Sequence, residues 1–174
     1  MLYSKGVDMI AKAFSVGVRI EHPQIEVDRC QYGEYARLPQ LGAADYNMSY
    51  HTESGRGVYT FCMCPGGTVV AAASEENSVV TNGMSEFARN QKNANSALVV
   101  SVSQKDFGEN PQDAINFQRN LEKKAFDLGG RNYSHPVITA ILLFVVSMFI
   151  FRRISPIASV VVCIVAYIVV TGMN

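Results

Sequence analysis

The residues of this 174-residue chain with the most chemistry to offer are Cys62 and Cys64, two positions apart in the stretch 59–85. A thiol acts as nucleophile or redox centre only as the thiolate, so a catalytic role requires an environment that favours ionisation. Without it, both are small apolar residues of a strand. Directly after them, Pro65-Gly66-Gly67 supplies one fixed φ and two residues free to take positive φ, as a tight reversal needs. The flanking runs 59–64 and 68–73 are rich in β-branched, aromatic and small residues. Together they predict a β-hairpin with the cysteines near its tip. Strand alternation then puts Cys62 and Cys64 on one face and Phe61 and Met63 on the other.

Further along, Val79-Val80-Thr81 reads as a short strand and Asn82-Gly83, followed by Met84, as a turn. The amide-rich run from Arg89 to Asn95 has side chains that both donate and accept, suited either to a polar ligand or to a surface loop. Arg89 itself is a candidate for an anionic substrate group or a solvated loop cation. His22, beside Glu21 and Pro23, has the right pKa range for a general base, but a lone histidine at a strand end more often lies in a solvated turn. No cysteine–histidine spacing resembles a zinc site, so no metal is expected.

Several elements must position these residues. FSVGVRI (14–20) has the period-two pattern of a half-buried strand, ended by Glu21-His22-Pro23. Residues 24–38 are mixed and polar, with a helical turn at 32–36, and 41–46 form a small-residue loop before a strand at 46–52. Residues 53–57 turn into the hairpin, and 97–102 form another strand. Asn110 as cap, Pro111 at the first helical position and Asp113 in the first turn predict a helix over 111–128. Its stripe of Ala114, Phe117, Leu121, Ala125 and Leu128 is core packing, and Gly129-Gly130 stops it.

Lysine plus arginine equal aspartate plus glutamate at fifteen each, so no strong field draws in nucleic acid. All fifteen carboxylates lie at or before Asp127, and residues 133–174 carry only Arg152 and Arg153 as charges. The chain therefore joins a globular part, 1–133, to an apolar tail, 134–174. Runs 137–151 and 154–173 read as two membrane-type helices. The first spans about 22 Å and the second about 30 Å, against a hydrocarbon core of ~30 Å. The pair is re-entrant, or the second run spans alone, or the tail is not a native continuation. Without an export signal, residues 1–133 are expected in the cytoplasm, membrane-associated if the tail is native.

FSVGVRIEHPQ (14–24), QYGEYA (31–36), LGAADY (41–46), GRGVYTFCMCPGG (55–67), VVAAASEE (69–76), VVTNGMS (79–85), NANSALVVSV (93–102) and FQRNLEKKAFDLGG (117–130) carry a resemblance. In this order they resemble the middle of the bacterial FAD-dependent, or NAD(FAD)-utilizing, dehydrogenases, over about residues 1–133. The resemblance implies an α+β fold: the β-rich, substrate-side interior domain of a two-dinucleotide-binding flavoprotein, here followed by the apolar helical tail. It implies FAD as the family's cofactor, held mainly by a glycine-rich βαβ turn and a closing segment outside this region. No G-x-G-x-x-G follows a strand in this chain. FAD binding by this chain alone is therefore not expected, and catalysis would need the missing flavoprotein segments; without them, exposed apolar surface predicts self-association. The resemblance also implies a site face: Cys62, Cys64, Pro65, Gly66 and Gly67 against flavin or substrate, with Asn82, Gly83 and Met84 opposite. The alternative is a membrane-anchored binding module that has lost flavin chemistry.

Overall fold

The computed structural model describes residues 3–36 and 38–134; the proposed membrane-type helices and Cys163 lie outside the described residues. Its organising element is the ten-residue strand Asn93–Val102. In chain order the elements are β1 (Phe14–Pro23), α1 (Gln24–Tyr32), β2 (Ser49–His51), β3 (Gly57–Cys64), β4 (Gly67–Ala71), β5 (Thr81–Ser85), β6 (Asn93–Val102), α2 (Gln104–Phe107) and α3 (Pro111–Leu128). Four strands form an antiparallel sheet in the order β1-β6-β3-β2, and β4 and β5 form a second, two-stranded sheet. The fold is α+β.

β6 is central because it serves two partners. It pairs with β1 from Phe14↔Val102 to Pro23↔Asn93, and with β3 from Val58↔Val100 to Phe61↔Ala97. Its alternate residues Leu98, Val100 and Val102 are buried. Directly opposite residues share a face, so Phe14, Val16 and Val58 join them there. α2 and α3 close one end of this face through Ala11, Val102 and Phe107, packed by Phe14, Ala114 and Phe117. Phe14 stacks on Phe107 at 5.1 Å and meets Phe117 edge-on at 6.3 Å. Each such buried side chain stabilises by about 1.5–3 kcal/mol. At the other end α1 packs through Val27 against Ala44 and Ala94.

The expected hairpin is not formed. β3 and β4 belong to different sheets, and Pro65-Gly66 is the step between them. β6 offers β3 a longer apolar partner than β4 does, while β4 finds β5 across residues 72–80. Asn82-Gly83 accordingly lies inside β5, opposite Val70 and Val69, and not in a turn. The facing of the cysteines also changes: the ladder slips between Phe61 and Cys64, and Cys62 takes φ +49°, so Cys62 is exposed and Cys64 buried.

Helix α3 starts as its residues predict, with Asn110 Oδ1 accepting from the Gln112 amide at 2.9 Å. Its stripe holds only in the first half. Ala125 and Leu128 are exposed, Leu128 at 60%, and Phe126, at 4%, is the buried residue, against Tyr133. Helix α1 has no counterpart in the sequence expectations beyond the turn at 32–36. The expected strand at 46–52 shortens to β2, and β1 runs through Glu21 and His22 to Pro23.

Candidate functional site

The face of the main sheet opposite α3 is divided. Ser15, Tyr59, Phe61, Val99 and Ser101 lie on it in register, and with Ala13 and Phe14 they line an open groove of about 460 Å³. The Ser15 and Tyr59 hydroxyls are 2.8 Å apart, and Phe61 is 63% exposed. The groove is shallow and wide open to solvent, with an aromatic wall and the Ser15, Tyr59 and Ser101 hydroxyls along it.

Beyond Phe61 the same face is covered. Arg19, opposite Ala97, donates from Nη1 to Asn95 Oδ1 at 2.7 Å and to the Cys62 carbonyl at 3.0 Å. Gly83 of β5 lies directly over the pair: a Cβ there would come within 2.3 Å of Arg19 Nη1 and Asn95 Oδ1, and 2.7 Å of Cys64 Sγ. The Arg19 bond helps hold Cys62 in its left-handed conformation, which for a non-glycine residue costs about 1–2 kcal/mol. The Cys64 thiol donates to the Cys62 carbonyl at 3.4 Å. Burial pushes the Cys64 thiol up, and Cys62 adds to the rise, outweighing Arg19. Cys64 is thus poorly suited to act as a nucleophile; Cys62 is the accessible thiol of the two.

The glycine turn serves packing. Pro65, Gly66 and Gly67 are all buried. The Gly66 amide donates to Gln24 Oε1 at 2.7 Å, and Gln24 Nε2 donates in turn to the Ala44 carbonyl and Asp28. Gly66 has φ +49°, and a Cβ would lie 1.8 Å from the Arg89 carbonyl oxygen. Arg89 therefore meets this turn through its backbone. Asn82 and Met84 are exposed, and Asn82 Oδ1 accepts from the Gly83 amide. The structure thus brings Cys64, Gly83 and the Cys62 carbonyl together around Arg19, and leaves Asn82, Met84 and the Arg89 side chain outside that cluster.

A second polar group lies at the α1 end, where His22 and Tyr46 rings are 5.5 Å apart. Burial lowers the His22 pKa, opposed by Glu21, and burial pushes Tyr46 up to about 12. Both are neutral near pH 7, His22 by desolvation and not as a solvated turn residue.

The glycine turn is not free to cradle an FAD pyrophosphate. Such a group needs free amides at a glycine turn or helix start. Here the Gly66 amide is taken by Gln24, Gly67 lies in the β4–β5 ladder, the Gln24 amide donates to Lys92, and Asn110 caps α3. Among the described residues no group of three or more histidine, cysteine or carboxylate side chains could hold a metal, and no helix is long and apolar enough to cross a membrane. Sequence reasoning reached Asn95 only as the end of the amide-rich run from Arg89, and missed Arg19, Gln24 and Tyr59. Arg19 reads as the outward side of a one-faced strand, and only the second sheet turns that side inward.

Residues 13–146 match the family described as FAD-dependent protein, C-terminal domain-like, a match that continues past residue 133 into the apolar run. An uncharacterized protein of Clostridium beijerinckii is 58% identical over 139 residues, which are 79% of this chain and 26% of that protein. The chain spans about a quarter of that relative's length.

Proposed function

The chain belongs to the FAD-dependent protein, C-terminal domain-like family, and on that premise we propose that it is the substrate-side part of an FAD-dependent oxidoreductase, not catalytically autonomous. The observation that carries this reading is the open sheet face: a groove with Tyr59 and Phe61 on its walls, next to an exposed Cys62. Flavin, when bound, supplies hydride transfer. This chain's share is to shape the substrate's surroundings, with Tyr59 and Phe61 on the groove wall and Gly83, Cys64 and the Pro65-Gly66-Gly67 turn fixing the covered end of the same face. The segments that hold FAD come from elsewhere in a flavoprotein, with nicotinamide cofactor as the electron donor and the cytoplasm as the place of work.

The test is complementation. The 174-residue chain is mixed with FAD alone, and separately with FAD and the Clostridium relative lacking its homologous quarter. The expected result is flavin retained on a desalting column, with NADH oxidation, only in the second mixture. Stoichiometric flavin on the chain alone would refute the lack of autonomy. Flavin retained by the complemented mixture without any turnover would refute the oxidoreductase assignment.

A further inference from the structure

Asn82-Gly83 has the composition of a turn, yet it lies inside β5, opposite Val70 and Val69. β5 pairs with β4 alone, so one of its edges has no strand beside it among the described residues. Asn82 is exposed, and the Gly83 amide donates to Asn82 Oδ1 at 2.9 Å. The backbone nitrogen of residue 83 is thus held beside the side-chain carbonyl of residue 82, with the two partners of a ring closure already in place. Gly83 has no Cβ to hinder that approach. It cannot gain one either, since a Cβ there would collide with Arg19 Nη1, Asn95 Oδ1 and Cys64 Sγ. Of the asparagines in the chain, Asn82 alone is followed by glycine.

We propose that Asn82 is a site of spontaneous deamidation, and that its isoaspartate product opens the cover over Cys64. The Gly83 nitrogen attacks Asn82 Cγ. The N–Cγ bond forms, the Cγ–Nδ2 bond breaks, and the Gly83 amide proton leaves with Nδ2 as ammonia. Water then opens the succinimide ring at either carbonyl. Breaking N–Cγ gives aspartate on an unchanged backbone. Breaking the original peptide bond instead routes the main chain through the side chain as isoaspartate, one backbone atom longer. That longer chain cannot keep its place. The Gly83 backbone lies against Arg19, Asn95 and Cys64 Sγ while paired in register with Val69. An added backbone atom just before it displaces that contact or slips the ladder, and buried Cys64 loses its shield. Aspartate at the same exposed position leaves both intact. The reaction needs no flavin and goes beyond the substrate-side reading.

The 174-residue chain is aged at mildly alkaline pH, folded and in urea, and sampled over time. Peptide mapping reads the conversion of amide to acid at residue 82, an isoaspartate methyltransferase assay reads the isoaspartate, and alkylation reads Cys64. The folded chain is expected to convert Asn82 ahead of its other asparagines, less than about tenfold more slowly than in urea, with Cys64 labelling rising in step with isoaspartate. Asn82→Asp, which adds the charge without lengthening the backbone, is expected to keep Cys64 protected. Asn82→Gln, which would have to close a larger ring, is expected to stay unmodified and protected for the same period. A folded chain that converts Asn82 about tenfold or more slowly than the chain in urea overturns the site. Isoaspartate without Cys64 labelling overturns the opening of the cover, and so does an Asn82→Asp chain whose Cys64 is labelled from the start.

Discussion

Replacing Gly66 by alanine isolates what the buried turn between the two sheets contributes. Two separate penalties arise. The residue sits at φ +49°, which costs a non-glycine about 1–2 kcal/mol. The new Cβ would also stand 1.8 Å from the Arg89 carbonyl oxygen and 2.2 Å from its carbon, backbone atoms that have no rotamer to change. Relieving that contact moves the 86–89 turn or the glycine itself, and with it the 2.7 Å bond from the Gly66 amide to buried Gln24. Overpacking costs about 1–3 kcal/mol and an unpaired buried group about 1–3 kcal/mol, so these two add about 4 kcal/mol to the backbone part. Gly55 is the control, because it has φ +80° and a methyl added there would meet nothing within 4 Å. Gly55→Ala should lose only the backbone part, about 1–2 kcal/mol. Urea unfolding by circular dichroism should separate the two variants by about 1–4 M in midpoint at an m-value of about 1–3 kcal/mol/M. Midpoints within about 0.3 M of one another would refute the packing assignment of this turn.

The Arg56–Asp106 pair offers a second test. It is two-pronged, at 2.6 and 3.0 Å, and joins the turn before β3 to α2. The Arg56 hydrogen bonds hold the Asp106 carboxyl below the usual carboxylate range. Asp106→Asn should therefore destabilise by about 1–3 kcal/mol near neutrality. The gap to the parent chain should be complete above about pH 4 and close as pH falls through the depressed value; a gap that persists at pH 2 would contradict this. For His22, burial lowers the folded pKa below its unfolded value, so its contribution is present above about pH 6.5 and lost as pH falls through the folded value. His22→Gln should flatten the stability profile between about pH 7 and 5, and an unchanged slope would place the pH sensitivity elsewhere. Peptide mapping after brief alkylation should find Cys30 and Cys62 modified and Cys64 protected until urea is added; early labelling of Cys64 would contradict its burial.

Where local pattern decides structure, the sequence was readable. The Asn110-Pro111 start of α3, the strand at β1 and the apolar run of β6 appear as expected, though the one buried residue of β1 is Arg19, from its polar side, and the match of residues 13–146 agrees with the FAD-dependent resemblance. What escaped was partnership between distant segments. Pro65-Gly66-Gly67 has the chemistry of a hairpin turn and makes a turn, but nothing local says that β3 will choose β6 over β4. Asn82-Gly83 has a turn's composition, and tertiary pairing with Val69 and Val70 overrides it. Helix α1 escaped because its amphipathic signal is weak: its buried residues are Gln24 and Val27, one of them polar. The Arg19 cluster depends on the second sheet covering the first, which no period in residues 14–20 can reveal.

The pairing of β1 with β6 also dictates when this chain can fold. Its nearest-in-sequence partners, Pro23 and Asn93, are 70 positions apart, and Phe14 must wait for Val102. A ribosome adding about 5–20 residues per second needs roughly 4–14 s to cover the shorter gap. Throughout that interval the first strand is out of the exit tunnel with no neighbour on either edge. The β4–β5 ribbon, closed across residues 72–80, can form early, while the main sheet assembles only after β6 has emerged. Synthesis of this domain therefore has a built-in waiting period, set by the distance in sequence between β1 and β6.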